Sequence, residues 1–248
     1  RTYLYYFGGS YSSSNRFNCH GYAWHMVEGG QPRWIGYTTT TDEDIYMTDG
    51  SYIKVCNEIY PGKVSWVGGD HSAITTSTPG IWISKWNKWP LIQHSKFDTP
   101  FGNNFAYYAS TKITGDLSPL CGGTRVLSVQ NIPGATYSWT KSANITITGS
   151  TTSNSVTIQR NSYTYADCWV QVQITSPCST TPVTTTVNLS PAINQVKVTA
   201  QSCEGSSQYY NLSALPSAGM SNWNWTVGSG TFIIYNPYSS STDVKVTG

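Results

Sequence analysis

Beyond about residue 112, hydrophobic and polar side chains alternate in short runs: "YSWTKS", "NITITG", "NSVTIQR", "CWVQVQITS" and "TTTVNLS". A strand turns successive side chains to opposite faces, so a period of two describes a strand with one dry face. Gly, Pro, Asn and Ser separate the runs and turn the chain back. Several short strands spaced in this way predict an all-β sandwich. The front of the chain has a different pattern. "HGYAWHMVEGG" has few β-branched residues and ends in a glycine pair. It predicts about two helical turns, opened by Asn18 as N-cap and closed by glycine. Further on, "DHSAITTS" predicts a short strand over Ser72 to Thr76. "GIWISKW", after a Thr-Pro-Gly turn, predicts its hairpin return, and "PLIQH" follows as an irregular segment.

The back half also repeats. The stretch from "SPLCGGTRVL" aligns loosely with the one from "AQSCEGSSQY": Cys121 matches Cys203, Trp139 matches Trp225, and Val156 matches Val244. A cysteine at a strand edge, then a tryptophan and short strands, predicts immunoglobulin-like sandwiches. The first copy spans 113–192 and the second 193–248, which stops before its last strands, so the native chain is expected to continue. The repeat register pairs Cys121 with Cys178, with Cys121–Cys168 as the alternative, and leaves Cys203 cut off from a partner. These segments resemble the Ig-like, PKD-like modules of secreted and surface proteins of Bacteroidetes-type bacteria. Such modules space or display other domains.

Composition adds a compartment. Charged residues are only 10% of the chain, and the net charge of +2 is too small to point to nucleic acid or an anionic membrane surface. No apolar run reaches the length of a membrane span, and no signal peptide opens the chain. The six cysteines show no CxxC pair and no zinc spacing. In strand-rich, Ser/Thr-rich sequence they predict disulfides, and so a secreted or surface protein.

Candidate chemistry lies in front, where all four histidines fall within the first 94 residues. Cys19 would open the predicted helix, where free N–H groups and the helix dipole favour a thiolate. His71, at the mouth of the predicted strand, is the candidate base. His94 is the candidate third group. His20 reads as a rim residue or oxyanion donor, and Asp70 as part of a turn. Trp34, Trp86 and Trp89 are candidate cleft walls. The rival for Cys19 is a disulfide with Cys56. A metal held by Cys19, His20, His71 and His94 is disfavoured because no pair has close ligand spacing, and no cofactor is expected.

"NCHGYAW", then "DHSAI", then "GIWISKW…PLIQH", over roughly residues 1–105, resembles the papain-like cysteine peptidases of the NlpC and CHAP kind. The resemblance implies Cys19 as nucleophile, His71 as base and His94 as orienting residue, with Asn87 the rival for the third role in the CHAP pattern. The chain departs from it at Asn18 and His20, where the NlpC pattern has Asp and Ser. The implied fold is an α+β papain-like domain over 1–112, short helices on an antiparallel sheet, followed by all-β Ig-like sandwiches. The implied function is a secreted or surface-attached cysteine hydrolase, monomeric, acting on a peptide or cell-wall substrate. The alternatives are a non-enzymatic surface or adhesion protein with an inactive hydrolase-like domain, and a narrow-target protein-modifying toxin.

Overall fold

The computed structural model describes residues 2–4, 16–36, 44–68, 71–86, 89–118, 120, 123–161, 168–189, 209–213, 232–234 and 241–246. Seven strands build the front domain: β1 (Thr2–Leu4), β2 (Tyr52–Val55), β3 (Lys63–Trp66), β4 (Ser72–Thr75), β5 (Ile81–Lys85), β6 (Leu91–Ser95) and β7 (Phe105–Ser110). They form one antiparallel sheet in the order β1-β6-β5-β4-β3-β7-β2. The segment read as irregular, "PLIQH", is a strand, because Leu91 to Ser95 pair residue by residue with the hairpin return β5.

Helix is scarce. The turn expected after Asn18 forms as one short run, α-helical at Cys19 and His20, π-helical over Gly21–His25 and 3-10 over Met26–Glu28. Gly29 then adopts φ 93°, a left-handed geometry that glycine takes without a Cβ clash, and the run stops. The other helix, α1 (Asp44–Thr48), is five residues long. The expected α+β papain-like front domain is therefore corrected. The Val, Ile, Tyr, Trp and Thr of residues 52–110 fold as sheet, and the described chain is sandwich-like and mostly β. No described helix is long and apolar enough to cross a membrane.

Strand parity gives the front sheet two different faces. On one, the helical segment packs: Phe17, Tyr22 and Met26 meet Leu91, Ile74 and Ile83, while Ala23 and Trp24 meet Tyr52. On the other, Val64, Trp66, Ala73 and Trp82 gather with Phe101, Phe105 and Tyr107. There the rings meet edge to face, with Trp82 centred 5.6 Å from Trp66 and 4.8 Å from Phe105, the orientation that ring quadrupoles favour.

The alternating runs become a sandwich. Its strands are β8 (Thr114–Gly115), β9 (Thr124–Ser128), β10 (Thr136–Lys141), β11 (Ile145–Thr148), β12 (Ser155–Arg160), β13 (Trp169–Thr175) and β14 (Val183–Asn188). They form sheets β10-β13-β14 and β11-β12-β9-β8. In β13, Val170, Val172 and Ile174 are buried and the residues between them face outward, as the period of two predicts. Trp139 is buried in the same core and donates its indole N–H to the Ser153 carbonyl. Of the second copy, β15 (Tyr209–Ser213), β16 (Phe232–Ile234) and β17 (Ser241–Val246) form a three-stranded sheet. Cys121, Cys203 and Trp225 lie outside the described residues.

Front sheet and sandwich share one core. Ile53, Val55 and Ala109, from the β2–β7 edge, pack with Ile113, Leu127, Val156 and Val172 of the sandwich. Cys178, expected to pair with Cys121, is instead bonded to Cys56, across 122 residues. Cys56 directly follows β2, the strand whose Ile53 and Val55 enter the sandwich core, and so stands nearer to Cys178 than any within-repeat alignment reveals. The same bond removes the Cys19–Cys56 bridge as an option.

Candidate functional site

Asn18 sets the local geometry of the cysteine. Its side-chain oxygen accepts the Gly21 N–H at 2.9 Å and the Ile35 N–H at 3.2 Å, and its amide donates to the Ile35 carbonyl. This is an N-cap that also ties the helical turn to the following loop. The loop runs so close that a β-carbon at Gly21 would overlap the Arg33 carbonyl oxygen. Cys19 stands at the start of the turn, 8% exposed.

Two groups of polar side chains lie near the sheet, one on each face. On the helix face, the Ser72 hydroxyl accepts the Trp24 indole N–H at 2.9 Å and sits 2.8 Å from His20 Nδ1. Lys85 is fully buried there. Its ammonium donates to the Trp89 carbonyl at 3.0 Å and stands 5.1 Å from the Phe17 ring centre. Burial pushes its pKa down to about 8, against an opposing attraction from Cys19.

His71 and His94 keep company with the other face. The His71 ring stacks on Phe101 with centres 3.9 Å apart and meets Trp66 at 4.8 Å. It is fully buried, and neither ring nitrogen has a hydrogen-bond partner among the described residues. Burial, followed by repulsion from His20 and His94, holds its pKa well below the usual histidine value. His94 donates from Nδ1 to the Ser95 carbonyl and takes the Ser84 hydroxyl on Nε2, both at 2.8 Å. Ser84 in turn accepts the Trp86 indole N–H at 2.9 Å.

The candidate residues thus touch two environments, coupled by the repulsion between His20 and His71. Cys19, Asn18, His20 and Lys85 belong to the helix side, while the rings touching His71 belong to the aromatic side. No hydrogen bond joins His94 to His71. Trp86 packs on His94 and Phe101, Trp34 is half-buried, and Trp89 is 60% exposed. Asn87 and Asp70 lie outside the described residues. Sequence reading overlooked Ser72, Ser84 and Phe101. The signal for the serines was parity: each is a small hydroxyl on a buried central strand, where Val or Ile is the usual occupant. Among the described residues no cluster of His, Cys, Asp or Glu is placed to hold a metal ion.

A second polar centre lies at the domain junction. The Glu28 Oε1 accepts both the Tyr52 hydroxyl at 2.6 Å and the Lys63 ammonium at 2.7 Å. Tyr52 and Lys63 are 4% and 5% exposed, so two buried donors aim this carboxylate. Although desolvation opposes it, these bonds and the charge of Lys63 hold the Glu28 pKa below the usual carboxylate value.

Residues 107–189 match the family of PKD-like domains. The match starts inside β7 and ends just after β14, so it takes in the sandwich together with the strand that leads into it. No curated protein matches the chain. The PKD-like resemblance is supported for the first copy; nothing comparable supports the papain-like one.

Proposed function

We propose that the chain is part of a secreted or cell-surface protein of adhesion type, in which the PKD-like sandwich carries the front β domain as a fixed head. The observation that carries this reading is the Cys56–Cys178 bond, which clamps the head to the PKD-like domain where their cores merge. A bond of this kind persists in an oxidising compartment and is rare in the cytosol. Labelling intact producing cells with a membrane-impermeant amine reagent tests it. The chain is expected among the labelled surface or secreted proteins, and recovery only after lysis overturns the reading.

A second reading, a thiol hydrolase, is favoured by one juxtaposition: Cys19 opens a capped helical turn beside Lys85, an amine whose pKa lies near 8. The thiolate would attack an amide carbonyl, the amine would leave with a proton from the neighbouring acid, and water would hydrolyse the thioester. Either His71, whose ring nitrogens hold no hydrogen bond among the described residues, or Lys85, which interacts electrostatically with Cys19, would serve as that acid. Iodoacetamide labelling followed by intact mass tests this. A hydrolase is expected to lose activity on peptide substrates and gain one adduct at Cys19 near neutral pH. An unlabelled Cys19 in the folded protein overturns it.

A further inference from the structure

Glu28 does not use its carboxylate fully. Both buried donors converge on Oε1, and no described residue donates to Oε2. Two clefts open beside it, of about 670 Å³ and about 520 Å³, and Glu28, Tyr52, Ser110 and Lys112 line both. These volumes fall within the range of small-molecule sites, which favour domain junctions. Lys112 is exposed and draws on Glu28 electrostatically without forming an ion pair with it. An aimed acceptor and an exposed donor therefore stand where the two clefts between head and sandwich share their lining.

The remaining walls indicate the ligand's chemistry. The larger cleft is lined by Ser51, by the half-buried ring of Tyr46 and by Thr184 to Thr186 of the edge strand β14, where the Thr185 hydroxyl turns inward and donates to Thr111. The smaller one adds the ring of Tyr60, which is 59% exposed, beside Gln130, whose amide accepts the Ser110 N–H and donates to the Pro61 carbonyl. Hydroxyls both give and accept hydrogen bonds, and aromatic faces pack on C–H surfaces. A wall of this kind suits a neutral ligand rich in hydroxyl groups. A strongly charged ligand would find charges of both signs, Glu28 and Asp49 set against Lys112.

We propose that the groove at the junction of head and PKD-like sandwich binds an oligosaccharide, with Glu28 Oε2 and Lys112 Nζ taking sugar hydroxyls and Tyr60 packing on a ring face. The groove is separate from Cys19 and its neighbours. It adds a ligand to the display role without depending on it, since binding is read on purified protein and display on whole cells.

The purified chain is titrated against immobilised neutral hexose and N-acetylhexosamine oligomers and, in parallel, against a library of extended peptides. One or more oligosaccharides are expected to bind. Tyr60→Ala and Lys112→Met, both at exposed positions, should each weaken that binding about tenfold or more while leaving thermal unfolding unchanged. Glu28→Gln keeps the shape, but with its oxygen held by Tyr52 and Lys63 it puts an amide donor where the Oε2 acceptor stood, and it should lower affinity as well. Absence of oligosaccharide binding at millimolar concentration, binding untouched by Tyr60→Ala and Lys112→Met, or binding of peptides alone each overturns the proposal.

Discussion

Replacing Cys56 and Cys178 with serine is expected to lower the folding stability of the chain by about 5 kcal/mol, the largest single effect at any site considered. The size follows from the 122 residues the bond spans. Closing a loop of that length removes roughly 16 cal/mol/K from the unfolded chain, about 4.9 kcal/mol at 25 °C on the chain-entropy model. Native strain or residual structure in the unfolded chain makes the observed value smaller, and losses of about 2–5 kcal/mol are usual for native disulfides. Urea unfolding of the wild type with and without reductant, alongside the double serine variant, measures it. The variant and the reduced wild type should coincide. A loss below about 1 kcal/mol would mean that the shared core alone fixes the head to the sandwich.

The second large effect is acid sensitivity centred on His71. Its ring is buried between Phe101 and Trp66 with both nitrogens unpartnered, and burial holds its pKa well below 6.5 in the folded state. Above pH about 6.5 the ring is neutral in both folded and unfolded chains and costs nothing extra. As the pH falls below that value, the unfolded chain takes up a proton that the folded chain refuses. Stability then falls by about 1.4 kcal/mol per pH unit, until the folded-state pKa is reached. Unfolding measured from pH 7.5 to 5.5 stays above the range in which most carboxylates titrate and should show this slope. His71→Phe preserves the stack on Phe101 and should flatten the profile, leaving only what the other histidines contribute. An equal slope in both proteins would assign the acid response elsewhere.

Much of the sandwich was legible because each strand there has one dry face. "YSWTKS" became β10 with Tyr137 and Trp139 turned inward, and "NSVTIQR" became β12 with Val156 and Ile158 inward. The hairpin of β4 and β5 was legible from its turn. The rest of the front sheet was not, because β3 is buried along its whole length and shows no alternation. Runs of that kind cannot be assigned by period, only by what packs on them. The candidate site was half legible. Asn18 as a cap at the start of a turn was readable from local chemistry, whereas the face to which His71 turns depends on strand register. A shift of one residue moves a side chain to the opposite face of the sheet, and residue order along the chain does not report it. The disulfide was illegible for a related reason: internal repeats pair cysteines within a copy, while Cys178 found its partner on the domain docked beside it.

Strand β7 belongs to the front sheet, yet its last residues lead within four positions to β8 of the sandwich. No flexible tether lies between the two bodies, and the Cys56–Cys178 bond bridges them a second time. A load pulling the head away from the sandwich therefore meets two covalent paths in parallel rather than a single hinge. Neither body can swivel freely about one connection, so a groove lying along their seam keeps its width and its bearing under tension.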